Sequence, residues 1–301
     1  MERGPGYRHK RHPAAHTGQG RSRLVPGERG TVTIPPAAEI APAKINLALH
    51  VRGRRNDGRH DLETIFAFCI DGDRLTAEPA DDLSLTVTGP FAAMLDDGPG
   101  NLVHRAAAAL AAEARIGKGV RITLEKKLPV ASGIGGGSAD AAAALRLLTS
   151  LWAVDPALAE RIAPTLGSDV PACLLSMTMR GEGAGDALTP VDAGVAGSPV
   201  LLINPRLALS TVDVFARWDG CDRGPLEDWR EGRNDLEAPA RVLVPEIGRV
   251  LDWLHGRSGT RIARMSGSGA TCFALFENEE ARDAAATDCP ADWWHMASFL
   301  R

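Results

Sequence analysis

A chain of 301 residues, 44% hydrophobic and 24% charged, can bury a substantial core, and its formal charge of -4 offers no basic face for a nucleic-acid polymer. No apolar run approaches the roughly 20 residues that a membrane span needs. The five cysteines (Cys69, Cys173, Cys221, Cys272 and Cys289) are odd in number and widely spaced. That pattern suits buried thiols in a reducing cytoplasm and argues against a disulfide framework or a zinc site with paired ligands.

Residues 1–35 are rich in Arg, His, Gly and Pro and almost free of large aliphatic side chains. They lack the apolar core of about 7–15 residues that a secretory signal needs, so a disordered extension, or a start codon placed too early, is expected. His9, His12 and His16 within it could bind metal adventitiously, and no function is built on them. Order should begin near Ile34. The stretch 36–53 reads as two short apolar pieces around Pro42-Ala43-Lys44, with Ile45, Leu47 and Leu49 alternating as in a strand. Asn56-Asp57-Gly58 is turn chemistry, and two further strands follow at LETIFAFCI and LSLTVTG. A helix begins after Asn101, its expected N-cap, and VRITLEKKLP is a strand. A helix over 139–152, a polar helical stretch around 155–163, and TLGSDVPACLL come next.

The Gly- and Pro-rich region 181–198 is expected to link a first domain (36–190) to a second (191–301). The second opens on the buried strand PVLLINP, then holds helices near 234–256, a hairpin across ARMSGSGATCFALF, and a closing helix and strand. Strands and helices intermix without regular βαβ alternation, which predicts an α+β fold. No internal repeat stands out, and monomer and homodimer both stay open.

The stretch LPVASGIGGGSADAAAAL places four glycines between Gly133 and Gly137 directly before an alanine-rich helix. Each glycine costs about 0.5–1 kcal/mol relative to alanine, so a plain turn capped by Ser138 would not need them all. Bare amides at a helix N-terminus, with the helix dipole behind them, attract phosphate, and missing β-carbons let its oxygens approach. Leu145, Leu148 and Trp152 fall at helical spacing and should anchor one face in the core. The GxxxxGK[ST] loop is absent, GxGxxG fails at Ser138, and the protein-kinase motifs are missing. The cradle is of another kind.

PVASGIGGGSADAAAAL resembles the glycine motif of the GHMP kinases, the superfamily of galactokinase, homoserine kinase and mevalonate kinase. APAKINLALHVRGRRNDGRHDLETIF before it and MSGSGATCFALF after it fall where that superfamily keeps its other motifs. With TLGSDVPACL and RNDLE, the opening resembles the branch that phosphorylates the 2-hydroxyl of a cytidine-diphosphate methylerythritol. The resemblance spans roughly residues 38–280. It implies an ATP- and Mg²⁺-dependent small-molecule kinase of two domains, with its active site in the interdomain cleft.

The resemblance makes Lys44 and Asp169 the catalytic pair: Asp169 accepts the acceptor's hydroxyl proton and Lys44 lowers the cost of charge on that oxygen. Read bare, Lys44 is equally a solvated strand lysine and Asp169 a helix or turn cap. Pro129, Val130, Ala131, Ser132, Gly133, Ile134, Gly135, Gly136, Gly137, Ser138 and Ala139 would cradle ATP. Ser138 would contact phosphate or Mg²⁺, or only cap the helix, and Asp140 is a candidate metal carboxylate. Asn46, on the same strand face as Lys44, is a substrate hydrogen-bonder. Gly267 and Gly269 let backbone approach the cleft, or else mark a glycine hairpin turn.

At the cytidine end the resemblance implies that His60 reads the base edge and Phe215 covers one face. Many family members place a stacking tyrosine where this chain has Arg59, and its single tyrosine is the remote Tyr7. Arg59 stacks on the base, pairs with a diphosphate oxygen, or points to solvent. Within enzymes the rivals are homoserine- and mevalonate-type kinases, against which the PAKINL opening and Asp57-Gly58-Arg59-His60 argue. A catalytically inactive ATP-binding module is opposed by the retention of Lys44 and Asp169.

Overall fold

In a computed structural model, Met1 and residues 37–301 are described; the tail expected over residues 1–35 otherwise lies outside the described residues. β1 (Ala37–Arg54) and β2 (His60–Ala80) form a long antiparallel hairpin closed by the Asn56-Asp57-Gly58 turn. The two apolar pieces expected around Pro42 are thus one strand. Proline has no N–H for the ladder, and the register shifts between Pro42 and Lys44, so a bulge lets the strand continue past it.

Both edges of β2 are used. β1 covers one, while β4 (Gly119–Glu125) and β5 (Met179–Gly183) share the other at Arg74–Ala80 and Leu62–Phe66. β3 (Ser84–Thr88) runs parallel to β4, and β6 (Ala187–Pro190) extends beyond β5, completing six strands. The region 181–198 is therefore partly sheet rather than only a linker.

Four helices pack on this sheet: α1 (Leu102–Glu113), α2 (Gly136–Trp152), α3 (Pro156–Leu166) and α4 (Val170–Leu175). Asn101 caps α1 as read from sequence, its side chain accepting from the Val103 amide at 2.9 Å. The alanine run of α2 is wholly buried, because methyl-sized side chains let the helix approach the sheet and its neighbours closely. Leu145 and Leu148 are buried as expected, with Trp152 packed at the margin of the same core.

The second sheet has the order β10 (Trp294–Phe299), β7 (Pro199–Asn204), β9 (Cys272–Phe276) and β8 (Thr260–Met265), antiparallel throughout. α5 (Thr211–Ala216), α6 (Glu237–Leu243), α7 (Glu246–His255) and α8 (Glu279–Thr287) accompany it. A third apolar cluster joins the sheets: Ile45 and Leu47 of β1 are buried with Leu202, Phe273 and Leu275 of β7 and β9. β1 is therefore common to both halves, and the catalytic lysine read from sequence lies on it. The fold is α+β. Among the described residues no helix is long and apolar enough to cross a membrane. Cys69, Cys173 and Cys272 are buried thiols, burial pushing Cys69 and Cys173 up to about 12, whereas Cys221 is exposed.

Candidate active site

The glycine loop delivers the N-terminus of α2 to the junction of the two sheets. Helix α2 starts at Gly136, three residues earlier than the sequence suggested, with Gly135 as N-cap at φ 64°. Ser138 is accordingly not the cap but stands in the first turn. The first-turn amides have no intrahelical acceptor, and the helix dipole adds positive potential there. Gly133, at φ 77°, meets the second loop: an added Cβ would stand 2.5 Å from the Ser266 carbonyl oxygen and 2.7 Å from that of Gly269. Ser266 fastens the junction, its hydroxyl donating to the Gly133 carbonyl at 3.0 Å and accepting from the Asn46 amide at 3.1 Å. The Thr271 amide donates to the Ser132 carbonyl at 3.1 Å, and the Lys44 amide to that of Ile134 at 3.1 Å. Gly267 and Gly269 lie in this clasp, both at positive φ, with an added Cβ on Gly267 only 2.9 Å from the Gly133 oxygen.

Beside the loop, Lys44 Nζ stands 3.0 Å from Asp169 Oδ2. The lysine side chain is 4% exposed and the aspartate 32%, so the carboxylate alone faces outward. A solvated strand lysine is thereby excluded. Asp169 occupies the N-cap position of α4 without any side-chain capping bond, so its carboxylate is left for Lys44. Asn46 orients the lysine: its Oδ1 accepts from Lys44 Nζ at 3.1 Å, while its Nδ2 donates to Thr64 Oγ1 at 2.8 Å. The Thr64 hydroxyl donates onward to the Ala48 carbonyl at 2.6 Å, which fixes the direction of the chain of bonds. The Phe66 ring lies 4.9 Å from Lys44 Nζ. Gly135 completes the wall, for an added Cβ would lie 3.1 Å from Lys44 Cε.

A second cluster gathers the residues read at the cytidine end. The His60 ring stacks on Phe215 of α5, centroids 4.6 Å apart, and Trp218 meets His60 edge-on at 5.6 Å. His60 Nε2 and Trp218 Nε1 are both buried without a hydrogen-bond partner among the described residues. Burial, and then the charge of Arg54, lower the His60 pKa below its ordinary value. Arg59 lies outside this stack: its guanidinium donates to Asp57 at 2.9 Å and to Asp186 at 3.4 Å. Trp218 was missed, because no spacing rule ties residue 218 to residue 60.

Asp140, the candidate metal carboxylate, is engaged by a buried lysine. It is buried, and Lys126 Nζ donates to its Oδ2 at 2.6 Å and to Asp73 Oδ2 at 2.5 Å. Burial, and then the charge of Asp73, push the Asp140 carboxyl up against the pull of Lys126. Burial also opposes charge on Lys126, but the two carboxylates outweigh it and raise its pKa. No group of three or more His, Cys, Asp or Glu side chains among the described residues is placed to hold a metal.

The model of the GHMP kinases N terminal domain matches residues 101–177, and that of the GHMP kinases C terminal matches 220–293. By fold and site the protein is a GHMP kinase. A curated relative from Novosphingobium aromaticivorans, named 4-diphosphocytidyl-2-C-methyl-D-erythritol kinase, is 53% identical over 87% of this chain and 92% of its own length. One of the same name from Rhizorhabdus wittichii is 54% identical over 87% of this chain and 94% of its own. The crystal structure of a 4-(cytidine 5'-diphospho)-2C-methyl-D-erythritol kinase is 37% identical, with a TM-score of 0.74 over 87% of this chain and 98% of that one. A homoserine kinase from Cytophaga hutchinsonii shares the fold at 18% identity and a TM-score of 0.66, covering 89% of this chain and 96% of its own. The chain belongs to the 4-diphosphocytidyl-2-C-methyl-D-erythritol kinase family.

Proposed function

We propose that the protein transfers a phosphoryl group from ATP to the 2-hydroxyl of 4-diphosphocytidyl-2-C-methyl-D-erythritol. The observation that carries this reading is the Lys44–Asp169 pair, 3.0 Å apart at the foot of a glycine-lined helix N-terminus. ATP, when bound, supplies the phosphoryl group and a leaving group. The residues present fit it: Gly133 and Gly135 adopt left-handed backbone that other residues resist, and the α2 first turn offers unpaired amides. We assign Pro129 to Ala139 to the triphosphate, and the Ser138 hydroxyl would help to hold Mg²⁺, which would offset phosphate charge.

Asp169 accepts the proton of the attacking hydroxyl, and the Lys44 ammonium offsets charge that builds on that oxygen. Asn46 holds the lysine, its amide being anchored in turn on Thr64. The His60–Phe215 pair receives the cytosine, with Gly267 and Gly269 allowing close approach of backbone; Arg59 faces the diphosphate once released from Asp57. We place the division of the fold between residues 36–190 and 191–301, supported by the first sheet ending at Pro190 and the second beginning at Pro199. We place the protein in the cytoplasm, a setting consistent with its free cysteines. The test is ATP-dependent phosphorylation of the cytidine-diphosphate methylerythritol measured beside homoserine and mevalonate. Preference for either competitor refutes the substrate assignment.

A further inference from the structure

Between the end of β4 and the second turn of α2 lies a buried charge cluster that the reaction does not consume. Asp73 of β2 uses one carboxylate oxygen to accept from the Lys127 amide at 2.6 Å and the Leu128 amide at 2.8 Å, where the glycine loop departs. Its other oxygen takes the Lys126 ammonium, which also reaches Asp140, beyond the glycines. Lys126 is 1% exposed, Asp73 0% and Asp140 2%, so water screens none of these charges. An added Cβ on Gly136 would stand 3.0 Å from Lys126 Nζ, placing the ammonium directly under the first residue of the helix. Asp140 Oδ1 is buried with no partner among the described residues, so Lys126 is what holds this carboxyl.

Stability alone is a poor reason to keep such a cluster. Taking three ionisable groups out of water is costly, and apolar side chains of similar volume commonly serve as well or better. What charge supplies, and grease does not, is fixed direction. The cluster ties the start of the loop (Lys127, Leu128) and its end (Asp140) to one point on β2.

We propose that Asp73, Lys126 and Asp140 are positioning residues for the nucleotide: they set where the α2 first-turn amides lie relative to the Lys44–Asp169 pair. The inference rests on the ATP-site reading given above. None of the three touches the reacting atoms, and each acts through the loop.

Asp140→Asn tests it, since asparagine keeps the volume and an oxygen for Lys126 while removing the ionisable carboxyl. Binding of Mg-ADP and of CDP is measured separately by calorimetry, with hydrogen exchange of amides 127–139 in the unliganded protein. Mg-ADP affinity is expected to fall about tenfold or more, the loss of roughly one hydrogen bond to a charged group, while CDP affinity stays within about twofold. Exchange in 127–139 should quicken without change elsewhere. Folded Asp140→Asn with wild-type Mg-ADP affinity and wild-type exchange overturns the proposal, as does an equal loss for CDP and Mg-ADP. Should Asp140→Asn not fold, the Lys126→Met/Asp140→Leu double variant is read in the same two titrations. If both variants fail to fold, the cluster is a stability element and the proposal falls. Wild-type protein that binds no Mg-ADP refutes the ATP-site reading itself, a distinguishable result.

Discussion

Replacing Gly133 by alanine tests how the glycine loop meets the Ser266–Ala270 loop. At φ 77° an alanine pays about 1–2 kcal/mol for left-handed backbone. Its Cβ would also stand 2.5 Å from the Ser266 oxygen, 2.7 Å from the Gly269 oxygen and 2.8 Å from the Gly269 nitrogen. All three are backbone atoms, so no flexible side chain can swing aside; one loop must shift. Moving it breaks the 3.0 Å bond from Ser266 Oγ to the Gly133 carbonyl, a loss of about 1 kcal/mol. The total is about 2–3 kcal/mol, read as a lower urea midpoint at constant slope. Gly137→Ala is the control, because its Cβ meets only Leu102 Cδ1 at 3.5 Å, an ordinary contact in a helical turn. It should leave stability unchanged or raise it by up to about 1 kcal/mol. A Gly133→Ala protein within about 0.5 kcal/mol of wild type refutes the reasoning.

Lys126→Met strands two buried carboxylates and should cost about 3–5 kcal/mol of unfolding free energy, measured by the same denaturation. Loss below about 1 kcal/mol contradicts the buried triad. His60 has a pKa lowered by burial, so the unfolded chain binds its proton more readily. Its contribution to stability is thus present above the unfolded value of 6.5 and declines as pH falls through it. The stability gap between wild type and His60→Gln should narrow from pH 8 to about pH 5; a gap that widens reverses the sign and refutes the assignment. Asn46→Ala frees Lys44 from its 3.1 Å partner and should lower kcat at least as much as it weakens acceptor binding, whereas a pure rise in acceptor KM would make Asn46 a substrate contact alone.

Much of the fold was legible because its signals are local. Asn101 has the side chain a helix start needs, Asn56-Asp57-Gly58 can make only a turn, and PVLLINP is apolar on both faces as a covered strand must be. The glycine loop and the Lys44–Asp169 pair were legible through motifs, and the structure brings those two residues together. Where reading failed, the determinant was elsewhere in the chain. The break expected at Pro42 did not occur because β2 accommodates a bulge there. Ser138 looks like a cap by composition, yet Gly135 takes that place, a glycine that adopts the left-handed turn there without the strain a serine would carry. Asp140 reads as a metal carboxylate until Lys126 is folded against it, and Asp73, 53 residues from that lysine, carries no sequence mark of the partnership. Trp218 is invisible for the same reason, whereas Ser266 lies in a motif that marks its loop but not its bonds to Gly133 and Asn46.

The central claim is that Asp169, held by Lys44, takes the proton from the acceptor hydroxyl. Asp169→Asn keeps the size and removes the base, so single-turnover phosphorylation of the cytidine-diphosphate methylerythritol should slow by about 10²–10⁴-fold. Mg-ATP affinity and the unfolding midpoint should stay near wild type. An Asp169→Asn enzyme that phosphorylates the acceptor at close to the wild-type rate contradicts the account.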